Sequence, residues 1–465
     1  MYFSSLIFLF LYLPIVILGY YMIPWKFRNL FLLLVNLVFY GWGEPVFILI
    51  MAISVVTNYI CGLFIDKYRN NEHLSRMFVV VSVVISLGLL GIFKYTNFLT
   101  GLLRQIPFLS MLPKTNIALP IGISFYTFQA MSYTIDVYRN DTKVQKSLIN
   151  FGTYVSFFPQ LIAGPIVRYK DIAYQLENRK ESFSQFSRGV TRFIVGLCKK
   201  VLIANQTGIY WDTIRAMGSE SGIMGAWLGI LGYAFQIYFD FSAYSDMAIG
   251  LGRMFGFDFI ENFNYPYISK SITEFWRRWH ISLGSWFRDY VYIPLGGNRC
   301  KLPKHIFNLF VVWGLTGLWH GANINFILWG FFFFVMLAAE KFLYGKALEK
   351  LPWFIGFIYT TFFIGLSWVL FYFEDFGELT AYFSNMFTLS NGIISHDALS
   401  VTISYLPLLI VSTIAATPVM KILYDKVSAT KTCAVIQFIL CGLALFVCTA
   451  SLVSQSYNPF LYFRF

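Results

Sequence analysis

Long segments of apolar residues recur along the whole chain, and short segments between them hold most of the charged residues. This alternation is typical of helices that cross a lipid bilayer one after another. The apolar segments lie at residues 2–21, 30–42, 46–65, 77–93, 117–135, 224–251, 306–319, 324–339, 353–372, 403–423 and 435–453. The pattern predicts an all-α polytopic membrane protein with about eleven transmembrane helices, together with amphipathic and re-entrant helices.

The composition agrees with this class. Hydrophobic residues make up 57% of the chain and charged residues 12%, which leaves no stretch for an independent soluble domain. The net charge of +12 lies in short loops, so the positive-inside rule explains it more simply than a nucleic-acid partner. The first loop contains Lys26 and Arg28, whereas Gly43–Pro45 contains neither lysine nor arginine, so we expect the N-terminus outside. Residues 2–21 are expected to be a retained first span.

Residues 148–223 do not divide into simple spans. The stretch Phe158–Arg168 contains two prolines and a glycine, which predicts irregular backbone at membrane depth. The stretch Phe183–Ala204 is amphipathic, and we expect its basic side on the cytoplasmic face. The chain must cross the membrane once in this region, and the pattern leaves open which segment does so.

Apolar residues recur every three or four positions from Ile272 to Tyr290, which predicts one continuous helix. Tryptophans lie on one side of this helix and arginines largely on the other. Such a helix suits a membrane surface, with its aromatic rings in the headgroup layer.

Two carboxylates, Asp240 and Asp246, lie inside the apolar segment 224–251. A carboxylate in such surroundings needs a partner. We expect that partner among the arginines at 277, 278 and 288, the nearest rich supply of positive charge in the sequence.

The histidine with the most unusual surroundings is His320, which lies between two uncharged segments, 306–319 and 324–339. Two helices joined here form a membrane hairpin, and a rise of 1.5 Å per residue places His320 about 20 Å deep. A buried neutral imidazole can accept a proton from a hydroxyl and return it to a leaving group. Position alone supports a catalytic and a purely structural histidine equally well, and the same holds for His280 on the Ile272–Tyr290 stripe.

Other chemistry finds little support. The chain has no phosphate-binding P-loop, no dinucleotide-binding glycine motif, no nucleophile elbow, and no metal-binding pattern of histidines or cysteines. The stretch Gly296–Arg299 allows two interpretations, a turn that cradles a phosphate and a plain turn after Pro294.

Several of these stretches resemble the membrane-bound O-acyltransferases. The similarity covers roughly residues 1–345 and is carried by Phe3–Ser5, Leu119–Phe125, Phe158–Pro165, Tyr238–Gly250, Trp276–His280, Gly296–Arg299 and Leu318–Gly321. The residues of these motifs and their order are most similar to those of the bacterial branch that acetylates alginate and peptidoglycan. The branch that transfers D-alanine toward teichoic acids is also similar.

The resemblance implies one integral-membrane domain over residues 1–465, with N-terminal helices (1–146), a catalytic core (147–345) and C-terminal helices (346–465) around a central tunnel. His320 matches the catalytic histidine of the family, and His280 matches its second histidine. Donor-binding candidates are Arg277, Arg278, Asn298 and Arg299. Candidates that line or support the tunnel are Gln160, Arg168, Asp240, Asp246, Trp319 and Asn323.

The implied function is transfer of an acetyl group from a cytoplasmic thioester to a hydroxyl acceptor outside a bacterial plasma membrane. The donor is acetyl-CoA or an acyl-carrier thioester, with no permanently bound cofactor and no metal. The expected partners are membrane lipids and an extracytoplasmic SGNH-type acyltransferase or polysaccharide. Two alternatives remain: D-alanyl transfer from a carrier protein, and a transporter without covalent catalysis, for which the inverted repeats common in transporters are not evident.

Overall fold

The chain folds into two compact units, each built from two separate stretches of sequence. The structure, a computed structural model, describes residues 1–162, 164–427, 431–455 and 457–461, except the side chains of residues 427 and 431–433. The first unit contains residues 1–193 and 244–260, and the second contains residues 194–243 and 261–465. Two helices, α10 and α12, therefore begin in one unit and end in the other.

The helices that begin in the first unit are α1 (Leu13–Met22), α2 (Arg28–Gly41), α3 (Ile48–Lys67), α4 (Glu72–Leu90), α5 (Thr96–Leu103), α6 (Ile123–Tyr138), α7 (Leu148–Ser156), α8 (Phe158–Leu161), α9 (Tyr169–Asn178) and α10 (Phe183–Cys198). Helix α1 is preceded by a π-helical turn, Phe8–Tyr12, and α4 continues into α5 through another, Gly91–Tyr95.

The helices that begin in the second unit are α11 (Asn205–Ala216), α12 (Gly222–Met254), α13 (Ile272–Arg278), α14 (Ile281–Phe287), α15 (Leu302–His320), α16 (Ile324–Ala339), α17 (Gly345–Leu348), α18 (Trp353–Tyr372), α19 (Phe376–Phe387), α20 (His396–Ala415), α21 (Val419–Val427) and α22 (Lys431–Ser454). A π-helical segment, Lys199–Ala204, joins α10 to α11.

Seven helical segments among the described residues are long and apolar enough to cross a membrane: Ile48–Lys67, Glu72–Leu103, Gly218–Met254, Ile324–Leu348, Trp353–Tyr372, His396–Ala415 and Ala434–Ser454. The apolar side chains of the last segment are mostly exposed, and Phe438 is 81% exposed. An exposed apolar helix of this kind suits contact with lipid. The chain is a multi-pass membrane protein. The full count of about eleven stays a prediction, since the other candidate helices are shorter or more polar.

The irregular backbone predicted at Phe158–Arg168 is present. Helix α7 ends at Ser156, α8 covers only Phe158–Leu161, and α9 begins at Tyr169. Ala163 lies outside the described residues.

The prediction of a single helix from Ile272 to Tyr290 is wrong. This stretch contains two short helices, α13 and α14, which are separated at His280. The φ of His280, 48°, lies in the left-handed region. Backbone hydrogen bonds to the stretch before α13 stabilise this break. Asn264 N–H donates to Arg278 O (2.9 Å), and Ile281 N–H donates to Asn262 O (3.0 Å). These bonds offset the cost of a positive φ at a non-glycine residue.

The predicted surface location of these tryptophans is wrong as well. Trp279 and Trp286 are each 3% exposed and pack inside the protein instead of in a headgroup layer. The start of α13 is held by the buried carboxylate of Glu340, which accepts hydrogen bonds from Ile272 N–H (2.6 Å) and Thr273 N–H (2.8 Å). A carboxylate at a helix N-terminus is favoured by the helix dipole.

The predicted hairpin is formed by α15 and α16, with His320 as the last residue of α15. Two glycines allow the helices to approach closely. A Cβ atom added at Gly317 would overlap the carbonyl of Phe326, and one at Gly330 would overlap the carbonyl of Trp313. Close backbone approach at small residues is a common way to pack membrane helices.

Gly317→Ala should therefore lower the free energy of unfolding by about 1–3 kcal/mol, because backbone atoms cannot yield to the new methyl group. Gly314 lies one turn earlier on α15, and a Cβ there meets nothing within 4 Å, so Gly314→Ala is the matched control. Thermal unfolding of both variants in detergent measures the difference. Equal melting temperatures for the two variants would contradict the close contact.

Candidate active site

Three aromatic rings surround the imidazole of His320. Its centroid lies 5.0 Å from that of Trp319, 4.9 Å from that of Trp329 and 5.4 Å from that of Phe371, each at a steep angle. His320 is 8% exposed. The hairpin creates this arrangement because Trp329 lies on α16, directly against the end of α15.

His320 lines a small cavity in the second unit. The other lining residues are Ile237, Asp240, Phe241, Trp279, Trp329, Trp368, Phe371, Phe460 and Leu461. The cavity has a volume of about 30 Å³, enough for about two water molecules. Its walls are almost entirely apolar, so an imidazole, a carboxylate and indole groups are its main chemical features. The longer tunnel expected from the resemblance stays a prediction.

His280 is held in one tautomer by Asn262. Asn262 Oδ1 accepts hydrogen bonds from Ser282 N–H (3.1 Å) and Ser282 Oγ–H (2.8 Å), which identifies this atom as the amide oxygen. His280 Nδ1 lies 3.2 Å from the same oxygen and must donate a proton to it. Nε2 is therefore the unprotonated nitrogen. Burial lowers the pKa of His280 to about 3, so the ring is neutral at pH 7.

Trp319 contacts both histidines. Its ring centroid lies 5.6 Å from that of His280 and 5.0 Å from that of His320. His280 Nε2 is buried and has no hydrogen-bond partner in the described part of the chain. The structure thus gathers His280, Trp319 and His320 into one aromatic cluster, with Phe241 against the ring of His280 (4.7 Å).

The partner predicted for Asp240 is wrong. Asp240 forms a buried ion pair with Lys200 (2.6 Å), and each side chain is 3% exposed. Lys200 was expected on a cytoplasmic surface, but the π-helical segment Lys199–Ala204 turns it inward. The arginines have other partners: Arg278 pairs with Glu274 (2.8 Å) and Arg288 with Asp289 (2.7 Å).

Three other predicted residues belong to the first unit. Asp246 pairs with Arg192 (2.6 Å) instead of the predicted arginines. Arg168 pairs with Asp171 (3.0 Å) at the start of α9, and the buried Gln160 donates to Tyr154 O (2.6 Å). Each of the three is therefore bound to a neighbour within its own unit.

The turn at Gly296–Arg299 fits the plainer interpretation. The N–H groups of Gly296, Gly297 and Arg299 donate to carbonyls of the same turn. Both glycines have positive φ, 108° and 57°, as a tight turn requires. Asn298 and Arg299 are exposed beside it. Asn323 caps α16 through its side chain and donates to Glu374 Oε2 (3.2 Å).

Arg277 differs from its neighbour Arg278. It is exposed and lies close enough to Lys341 for the two positive charges to interact. Arg278 is occupied by Glu274 and by Asn264 O (3.1 Å). Of these two neighbouring arginines, Arg277 therefore has the side chain that is more available to a ligand. No group of three or more metal-binding side chains converges among the described residues.

Residues 34–347 match the model of the membrane-bound O-acyltransferase family. The chain belongs to this family. Membership makes it an O-acyltransferase, so the expectation of an enzyme is confirmed and a transporter without covalent chemistry is excluded.

Named relatives of this O-acyltransferase include a probable alginate O-acetylase of Pseudomonas aeruginosa, 46% identical over 81% of this chain and 72% of the relative. A second is the peptidoglycan O-acetyltransferase of Helicobacter pylori, 34% identical over 79% of this chain and 76% of the relative. A teichoic acid D-alanyltransferase of Bacillus subtilis is more distant, 30% identical over 52% of this chain and 63% of the relative.

Several residues of the cavity were not identified from sequence. Trp329 and Phe371 lie in uniformly apolar segments, where periodicity cannot distinguish a cavity wall from a lipid-facing side chain. Asn262 does not line the cavity, but it holds His280, and its side chain is 0% exposed. Phe460 follows the last helix, where no motif was found.

Asn262→Ala should lower the kcat of acyl transfer by about tenfold or more, because His280 would lose the acceptor that fixes its tautomer. The KM for the donor should change little. Asn262→Asp keeps an acceptor oxygen and should restore part of the rate. Initial rates and melting temperatures of both variants test this. A wild-type kcat in the alanine variant, or equal losses in both, would show that Asn262 does not act through His280.

Proposed function

We propose that this O-acyltransferase moves an acetyl group from a cytoplasmic thioester, acetyl-CoA, to a hydroxyl acceptor outside a bacterial plasma membrane. The observation that carries the proposal is the burial of His320 at the end of a membrane hairpin, in a cavity the size of a small acyl group. The two more similar relatives described above are both named for O-acetyl transfer.

In this proposal His320 acts as the general base. It takes the proton from the acceptor hydroxyl as the oxygen attacks the thioester carbonyl, and it then gives that proton to the departing thiolate. An apolar enclosure favours the neutral imidazole that this first step requires. The aromatic rings around His320 also exclude bulk water, which would otherwise compete as the acceptor.

Trp329 is the donor that we propose for the negative oxygen formed in the reaction. It lines the cavity beside His320, and its indole N–H has no hydrogen-bond partner within the described residues. An unsatisfied buried N–H is costly unless something accepts from it. A carbonyl oxygen that gains negative charge in the transition state would accept this hydrogen bond.

Arg277 and Lys341 are proposed to attract the phosphates of acetyl-CoA. Both are exposed, and neither forms an ion pair among the described residues. Two positive charges held near each other suit a phosphate-rich ligand.

The acceptor in this proposal is a serine of an extracytoplasmic SGNH-type acyltransferase or the polysaccharide itself. The names of the relatives support a polymer such as alginate or peptidoglycan. We place the N-terminus outside, in accord with the loop charges. D-alanyl transfer is supported less, since that relative matches only 52% of this chain.

Arg277→Ala is expected to raise the apparent KM for acetyl-CoA about threefold to tenfold, because one charge that attracts the phosphates is lost. Arg288→Ala is the control, since Arg288 is paired with Asp289 and its side chain is 60% exposed. Release of free CoA by purified membranes measures both. An equal KM in the two variants would assign Arg277 to another role.

His320→Ala should reduce acetylation of extracellular polymer to about 1% or less, in line with the loss of a general base. The matched control is His73→Ala, because His73 is exposed in the first turn of α4. Base-released acetate from the isolated polymer measures the effect, and immunoblotting of membranes checks insertion. Acetylation retained in a properly inserted His320→Ala protein would refute the proposed function.

A further inference from the structure

The end of the described chain forms part of the cavity around His320. Residues 457–461, here called the C-terminal strap, follow the last helix, and Phe460 and Leu461 both line the cavity. Phe460 is 9% exposed although it belongs to no long helix. A short segment that follows the last long helix thus contributes a wall to the cavity.

The strap is anchored by polar contacts along its length. Tyr457 OH donates to Asp212 Oδ2 (2.9 Å) and accepts from Gln236 Nε2 (3.3 Å). Asn205 Nδ2 donates to Asn458 Oδ1 (3.2 Å). These contacts fasten the beginning of the strap to α11 and α12.

The end of the strap is held by the buried ion pair. Lys200 Nζ donates to Pro459 O, and Leu461 N–H donates to Asp240 Oδ2 (2.8 Å). Lys200 and Asp240 therefore bind each other and also the backbone of the two residues that flank Phe460. Since a buried charge is costly without its partners, the strap also completes the pairing of both charges. This gives Asp240 a definite role at the cavity wall.

The opposite walls are fixed more rigidly. Trp368 Nε1–H donates to Tyr267 OH (3.2 Å), which in turn donates to Ala234 O (2.7 Å). Trp329 is 1% exposed and packs between Phe333 and Phe371. Large side chains locked in this way cannot retreat, so the size of the cavity depends on the ring that the strap supplies.

We propose that the C-terminal strap closes the acyl cavity and that Phe460 sets the largest acyl group the enzyme accepts. The inference rests on the proposed function of His320. A volume of about 30 Å³ accommodates roughly the heavy atoms of an acetyl group, and each further methylene would meet the Phe460 ring. Phe460 is a specificity-determining residue in this account and takes no part in proton transfer.

The test compares transfer from acetyl-CoA and propionyl-CoA by the full chain in native membranes. Phe460→Ala should raise the ratio of propionyl to acetyl transfer about tenfold or more, the usual effect of one methylene in an apolar pocket. Phe460→Leu should raise it by less. The control is Phe438→Ala, a substitution of the same kind at a side chain that is 81% exposed on α22.

A raised ratio in either Phe460 variant, with the control unchanged, supports the inference. Wild-type ratios in both Phe460 variants would overturn it while leaving the proposed function intact. Loss of transfer of both acyl groups in both variants would also overturn it, because a size limit predicts that acetyl transfer persists. Failure of the wild-type protein to transfer acetyl at all would instead refute the proposed function.

Discussion

The structure depends on the cost of placing polar groups inside an apolar protein. Each buried charge in the second unit is held by partners of opposite charge or by several hydrogen bonds. Lys200 and Asp240 bind each other, and Glu340 accepts from the first N–H groups of α13. An imidazole in its neutral form avoids much of this cost, which suits the position of His320 among aromatic rings. A neutral base is the kind of catalytic group that such surroundings can hold.

This constraint links the fold to the proposed chemistry. The close packing of Gly317 and Gly330 brings α15 and α16 together and sets Trp329 against His320. The break between α13 and α14 turns His280 inward, where Asn262 fixes which of its nitrogens holds the proton. Both features remove freedom from the side chains around the cavity. Preorganisation of this kind is what catalysis of acyl transfer requires.

The sequence predicted the helices well where apolar character alone decides the structure. Helix α18 covers Trp353–Tyr372, as expected, and the hairpin at His320 is present. Sequence periodicity failed at His280, because backbone hydrogen bonds to Asn262 and Asn264 interrupt an apolar stripe that looks continuous in the sequence. It also failed for the partners of Asp240 and Asp246. Lys200 and Arg192 are separated from these carboxylates by 40 or more positions, and hydropathy contains no information about such distant pairs. The C-terminal strap could not be predicted for the same reason.

The central claim is that an acetyl group crosses the membrane through the site at His320. Membrane vesicles with the cytoplasmic face outward, supplied with radiolabelled acetyl-CoA from outside, test it most directly. The account predicts alkali-labile label on macromolecules enclosed in the vesicles, and none in vesicles that lack this protein. Label confined to the outer face, or equal enclosed label in both preparations, would contradict it.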